Sequence, residues 1–197
     1  MPVTFTLDTN CIIAVDEGRP EAEAILELVR ADSEGLASTA LVAISASERQ
    51  PGGGTLERFD QFKERLSSLG LGSLELLMPM LYWDVGFWDF GLWCDDEMAA
   101  LEAKIHAILF PSIAIDHSEY CRQTGLDSST TSMQTKWRNA KCDVQAFWSH
   151  AHHKRNVFVT SDKNFLAVSK RPILEALSGS QLFTPAQAVA ILRRGAA

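Results

Sequence analysis

Two stretches of this chain place an aspartate directly after a β-prone run. Near the start, Thr4, Phe5, Thr6 and Leu7 favour a short strand, and Asp8 follows at once. Near the end, Val157, Phe158 and Val159 form an apolar run of the kind buried on both faces of a parallel sheet, and Asp162 stands just past it. In open parallel sheets the working crevice lies off the carboxyl ends of the strands. A third acid, Asp143, is read as opening a helix whose apolar positions are Val144, Phe147, Trp148 and Ala151, and a helix N-terminus favours an anion. Lys154 and Arg155 then fall in its last turn, with Asn156 closing it. Two carboxylates brought together resist joint ionisation. A divalent cation between them removes that conflict, and oxygen ligands suit Mg²⁺ or Mn²⁺ better than zinc.

Taken in order, LDTN after the first strand, the acidic position Glu48, Asp143 ahead of an apolar helix, and VTSDKNF at the late strand resemble a PIN-domain nuclease. The resemblance covers roughly the first 50 and the last 60 residues. It implies a three-layer α/β/α fold with a central, mostly parallel sheet of about 4–5 strands. It implies metal-assisted phosphodiester hydrolysis, of RNA and sometimes of DNA. Asp8, Glu48, Asp143 and Asp162 would then be the catalytic Mg²⁺ or Mn²⁺ ligands, with Asn10, Thr160 and Ser161 around them. Many short members are toxins held by a protein antitoxin; this chain is longer, which weakens that part of the analogy. Two rivals stand beside the nuclease. One is the same fold kept as a catalytically inactive RNA- or protein-binding scaffold. The other is an aspartyl phosphotransferase, which commonly needs a second acid two residues after the first, where this chain has Asn10.

Length and composition fit one domain of 197 residues, with an insertion at about 51–135, and an apolar content of 46% is enough for one packed core. No stretch approaches the ~20 apolar residues of a membrane span. The opening MPVTFTLDTN has neither the basic nor the apolar part of an export signal, so a cytoplasmic protein is expected. Cys11, Cys94, Cys121 and Cys142 show no metal or redox spacing and read as reduced thiols. The net charge of −7 argues against indiscriminate binding to nucleic acid. Its distribution is uneven: residues 1–135 hold 8 Lys and Arg against 22 Asp and Glu, and residues 136–197 hold 10 against 3. Lys136, Arg138, Lys141 and Lys163 in the basic block are the candidate phosphate contacts, since a phosphodiester needs positive charge nearby.

The elements between these stretches are read as follows. Pro20 starts a helix bearing Ile25, Leu28 and Val29. A short second strand at 36–38 precedes Thr39, read as the cap of a helix that carries Glu48. The Pro-Gly-Gly-Gly at 51–54 breaks the chain, and Thr55 caps a helix with Phe59, Phe62 and Leu66 on its apolar stripe. Residues 74–82 are ambiguous between strand and irregular core. The aromatic run 83–93 suits core cover, a self-association surface that would make a homodimer, or base stacking. A helix opens at Asp95, and residues 112–115 read as a third strand ending at Asp116, either a fifth ligand or a cap. Residues 125–135 read as a polar loop. Trp137 reads as a base contact or an anchor, and the HxHH of His150, His152 and His153 as a solvated helix end. A short last strand at 181–183 leads through Thr184 and Pro185 into the final helix.

Overall fold

The computed structural model describes residues 2–47, 56, 58–82, 85–127 and 135–195. β1 (Val3–Leu7) pairs with β2 (Ala37–Val42) on one side and with β4 (Val157–Val159) on the other; β3 (Glu75–Leu77) lies beyond β2 and β5 (Gln181–Phe183) beyond β4. All four pairings are parallel, and the spatial order is β3-β2-β1-β4-β5. Parallel neighbours need crossovers. These come from α1 (Thr9–Asp16), α2 (Ala22–Ser33), α3 (Phe59–Ser68), α4 (Asp96–Leu109), α5 (His117–Thr124), α6 (Thr135–His152) and α7 (Arg171–Ser178), and α8 (Pro185–Gly195) follows β5.

Side chains alternate across each strand, and that sorts the core into two halves. Phe5, Leu7, Leu41, Val157 and Val159 pack with Ile12, Ile25, Leu28, Phe62 and Val189, so one face is covered by α1, α2, α3 and α8. Val42, Phe158 and Leu182 pack with Ile105, Tyr120, Trp148 and Leu174, so the other face is covered by α4, α5, α6 and α7. The result is the expected three-layer α/β/α fold. No helix among the described residues is long and apolar enough to cross a membrane.

Several expectations are corrected. The second strand expected at 36–38 forms but runs on to Val42, past the expected start of a capped helix at Thr39. Residues 37–42 are held between β1 and β3, and a short 3-10 turn (Ala43–Ser47) follows. Thr39 therefore caps nothing; its backbone N–H donates to Asp32 and its hydroxyl to the Leu28 carbonyl. No strand forms at 112–115; Asp116 is the N-cap of α5 and accepts from the Glu119 N–H. Within 51–135, the described residues contribute β3 to the main sheet and α4 and α5 to one of its faces. Glu48, the breaker at 51–54, Thr55, Trp83, Asp84 and most of the loop 125–135 lie outside the described residues.

α6 begins at Thr135, two turns before Asp143, because Trp137, Ala140 and Val144 continue the buried stripe toward the N-terminus. Arg138 donates to the Ser47 carbonyl past the end of β2, whereas His150 meets Thr6 inside β1, so the helix runs antiparallel to the strands. The expected solvated His150 is instead buried, with Nδ1 at 2.9 Å from Thr6 Oγ1 and Nε2 at 2.8 Å from Ser180 Oγ; His152 and His153 are exposed. Arg155 is no helix-end cation either. It is buried below the sheet's amino edge, where it donates to the Phe5 carbonyl, the Ser38 carbonyl and Glu75 and so ties β1, β2 and β3 together. Trp137 is the anchor rather than a base contact: it is 3% exposed and donates to the Ala114 carbonyl. The aromatic run is divided, with Phe87 and Phe90 packed on Phe59 and with Trp88 and Trp93 exposed.

Burial, then the nearby Arg155 charge, pushes the His150 pKa down from 6.5 to about 3. The folded state thus takes up this proton less readily than the unfolded chain, and stability falls as pH drops from 6.5 toward 3. Denaturation in urea should show the wild type losing about 3 kcal/mol more than His150→Gln between about pH 7.5 and pH 4.5. Parallel acid limbs for the two proteins would show that His150 is not the group responsible.

Candidate active site at the carboxyl edge

After β1 the chain crosses to β2 and β3 on one side, and it later returns to β4 on the other. The crevice between β1 and β4 is therefore the point where the strand order reverses, the usual place for a ligand in an open parallel sheet. Leu7 and Val159 are register partners, so Asp8 and Thr160 leave the sheet side by side at that point. The Asp8 N–H donates to the Val159 carbonyl at 3.0 Å and the Thr160 N–H to the Phe183 carbonyl at 2.9 Å, which locks both residues to the neighbouring strands.

Asp8 is 2% exposed and is the N-cap of α1. Its Oδ1 accepts from the Thr9 N–H at 2.8 Å; its Oδ2 accepts from Thr160 Oγ1 at 2.7 Å and from Asn10 Nδ2 at 3.2 Å. Three donors on a carboxylate hold down its pKa, yet burial outweighs them, and the charge of Asp162 adds to burial. The Asp8 carboxyl is raised from 3.8 to about 6. Thr160 connects the two acids, since its hydroxyl also accepts from the Asp162 N–H at 2.9 Å. Asp162 is half-buried and turned by its own carboxylate, which accepts from the Asn164 N–H at 2.6 Å. Asn164 in turn donates to the Leu109 carbonyl at the end of α4, and Lys170 donates to that carbonyl and to Asn164.

The expected site residues fare differently. Asp8, Asp162, Asn10 and Thr160 come together, and Ser161 is exposed beside them. Asp143 is half-buried on the stripe of α6 that carries His150, one heptad nearer the helix start. That step is about 10 Å along a helix antiparallel to the strands, which sets Asp143 toward the carboxyl edge. Among the described residues, however, no three of His, Cys, Asp and Glu form a group able to hold a metal ion, so Asp8, Asp143 and Asp162 are not gathered as a ligand trio. Glu48 lies outside the described residues, directly after Ser47.

Of the basic candidates, Lys136 and Lys163 are exposed. Arg138 is half-buried and committed to the Ser47 carbonyl at 3.0 Å. Lys141 is a correction: it is 1% exposed, with Nζ 2.8 Å from Glu102 Oε1 and 4.0 Å from the Tyr82 ring. A cation removed from water in this way must be paired, and Glu102 on α4 is the pair. It therefore cannot meet a phosphate. Sequence reasoning missed Thr9, Ser45 and Asn164. The Thr9 and Ser45 hydroxyls are 2.7 Å apart and fasten the start of α1 to the turn after β2. Asn164 was legible, because an aspartate two residues before it commonly bonds the backbone N–H at that spacing.

No protein-family model matches the chain, and no curated protein or solved structure matches it. The site therefore stands on its own geometry. A hard cation of the Mg²⁺ kind commonly takes one or two carboxylates and completes its shell with water and substrate phosphates. Asp8 and Asp162 offer carboxylate oxygens, the donor type such an ion takes.

Asp8 holds its proton more tightly in the folded protein than when unfolded, so the metal-free protein loses stability as pH rises from about 3.8 to about 6. In chelator, the unfolding free energy of Asp8→Asn relative to the wild type should rise by about 1–3 kcal/mol between about pH 4 and neutral pH, on top of a pH-independent cost of setting its amide N–H₂ against donors. A difference between the two proteins that is the same at both pH values would mean that burial of Asp8 carries no such penalty.

Proposed function

We propose that the chain is a PIN-like nuclease that hydrolyses phosphodiester bonds of RNA with Mg²⁺ or Mn²⁺ at the Asp8–Asp162 site. The observation that carries this reading is the convergence of a buried, reluctantly ionised carboxylate with a second acid at the reversal point of the sheet. Such a pair is costly when both are charged, and a divalent cation turns the cost into an attraction. Bound there, the cation would lower the pKa of a water and offset charge developing on the phosphate. Asp8 and Asp162 would hold it.

The chain's own residues do the positioning. Thr160 and Thr9 fix the Asp8 oxygens in one orientation, so the carboxylate is set before any ligand arrives. Asn164 fixes Asp162 in the same way. Lys163, exposed next to Asp162, and Lys136, exposed at the start of α6, supply the positive charge for the RNA backbone. The inactive scaffold has one observation in its favour: two acids, rather than three or four, meet among the described residues.

The test is end mapping of a mixed RNA pool after incubation with Mn²⁺. Asp8→Asn and Asp162→Asn should each slow cleavage by at least about 100-fold, as for loss of a group that stabilises transition-state charge. The urea midpoint of each variant separates loss of the site from loss of the fold. Full activity in Asp8→Asn removes the nuclease reading. A wild type that neither cleaves RNA nor binds Mn²⁺ by calorimetry leaves the scaffold.

A further inference from the structure

A cleft of about 420 Å³ lies where α4 meets the starts of α5 and α6, lined by Tyr82, Ala99, Glu102, Asp116, His117 and Trp137. Its walls are aromatic and its charges are acidic. Glu102 forms the floor and is 2% exposed; its Oε1 accepts from Lys141 Nζ and from Gln145 Nε2, both at 2.8 Å, and its Oε2 accepts from the Tyr82 hydroxyl at 2.5 Å. The floor is thus electrically balanced by Lys141 and is rigid. Asp116 stands exposed at the rim, with one carboxylate oxygen accepting from the Glu119 N–H at 3.0 Å. His117 packs edge-on against Trp137, with ring centroids 5.1 Å apart, and so stiffens the aromatic wall.

We propose that this cleft binds an organic cation, an ammonium or guanidinium group on an apolar stem. Aromatic faces attract such a group through the ring quadrupole. The wall already does so from within, where the Lys141 ammonium sits 4.0 Å from the Tyr82 ring and 5.4 Å from the Trp137 ring. Asp116 supplies the unbalanced negative charge. Burial, the bond to Glu102 and the charges of Glu102, Cys94 and Asp116 all push the Tyr82 hydroxyl up, so it stays a donor locked onto Glu102. With Lys141 paired to Glu102, the Asp116 carboxylate is the unbalanced charge a ligand would meet, which favours an amine over a phosphorylated ligand. The inference is independent of RNA cleavage.

Calorimetry and tryptophan fluorescence on the full chain test it with two probes, spermidine and an acetylated, amidated Gly-Arg-Gly peptide. One-site binding with Kd between about 10 µM and 1 mM is expected for at least one probe. Binding of spermidine alone assigns a free polyamine; binding of the peptide alone assigns an arginine of a protein partner. Asp116→Asn, which keeps the helix cap because Asn is also a good N-cap, should weaken binding about 10-fold. Ala99→Phe fills the cleft without changing any charge and should abolish binding. Glu64→Gln, an exposed acid on α3, should leave it unchanged. No binding of either probe at several millimolar overturns the proposal, as does undiminished binding in Ala99→Phe or equal weakening in Glu64→Gln.

Discussion

A carboxylate sealed from water at the end of the central strand is the constraint around which this molecule is arranged. Asp8 can be buried there only because three donors reach it, and two of them, Thr9 and Asn10, are its immediate neighbours in sequence. The third, Thr160, comes from 152 residues away and depends on the parallel register of β1 with β4. A one-residue slip in that register would turn Thr160 to the opposite face and leave Asp8 without its closest donor. The same hydroxyl orients the backbone at Asp162. One threonine therefore sets the relative position of both acids.

α6 is the second organiser, and it works through polar atoms as much as through apolar packing. Along 18 residues it places Arg138 on the turn after β2, Lys141 and Gln145 on Glu102, and His150 between Thr6 and Ser180. Buried polar groups of this kind are costly unless satisfied, and each fits one partner geometry only. They fix how the helix lies on the sheet more sharply than Val144, Phe147 and Trp148 could alone. Arg155, just past the helix, does the same for the amino edge of three strands.

The basic block of residues 136–197 had suggested a surface for phosphate. Lys141 instead neutralises the buried Glu102, Arg155 is buried and reaches out to the exposed Glu75, and Arg138 and Lys170 donate to main-chain carbonyls. Lys136 and Lys163 remain exposed toward solvent. A charge tally along the sequence thus overstates the field that a substrate would meet, since it cannot separate a cation facing water from one paired in the core.

What the sequence determined by itself was local. Strand propensity and apolar runs identify 4–7, 157–159 and 181–183 as strands, and an aspartate after the first two marks the carboxyl edge whatever the rest of the chain does. The stripes of α2, α3 and α6 follow from 3.6-residue periodicity alone. The tertiary structure alone decided the rest. The second strand, legible at 36–38, ran on from Thr39 to Val42 because β1 and β3 flank it. Lys141 and His150 went inside because Glu102, Thr6 and Ser180, remote in sequence, supply their partners. Asp143 sits mid-helix because buried positions continue before it. The physical reason is common to all three: burial and pairing depend on neighbours that folding brings together, and spacing along one chain does not encode them.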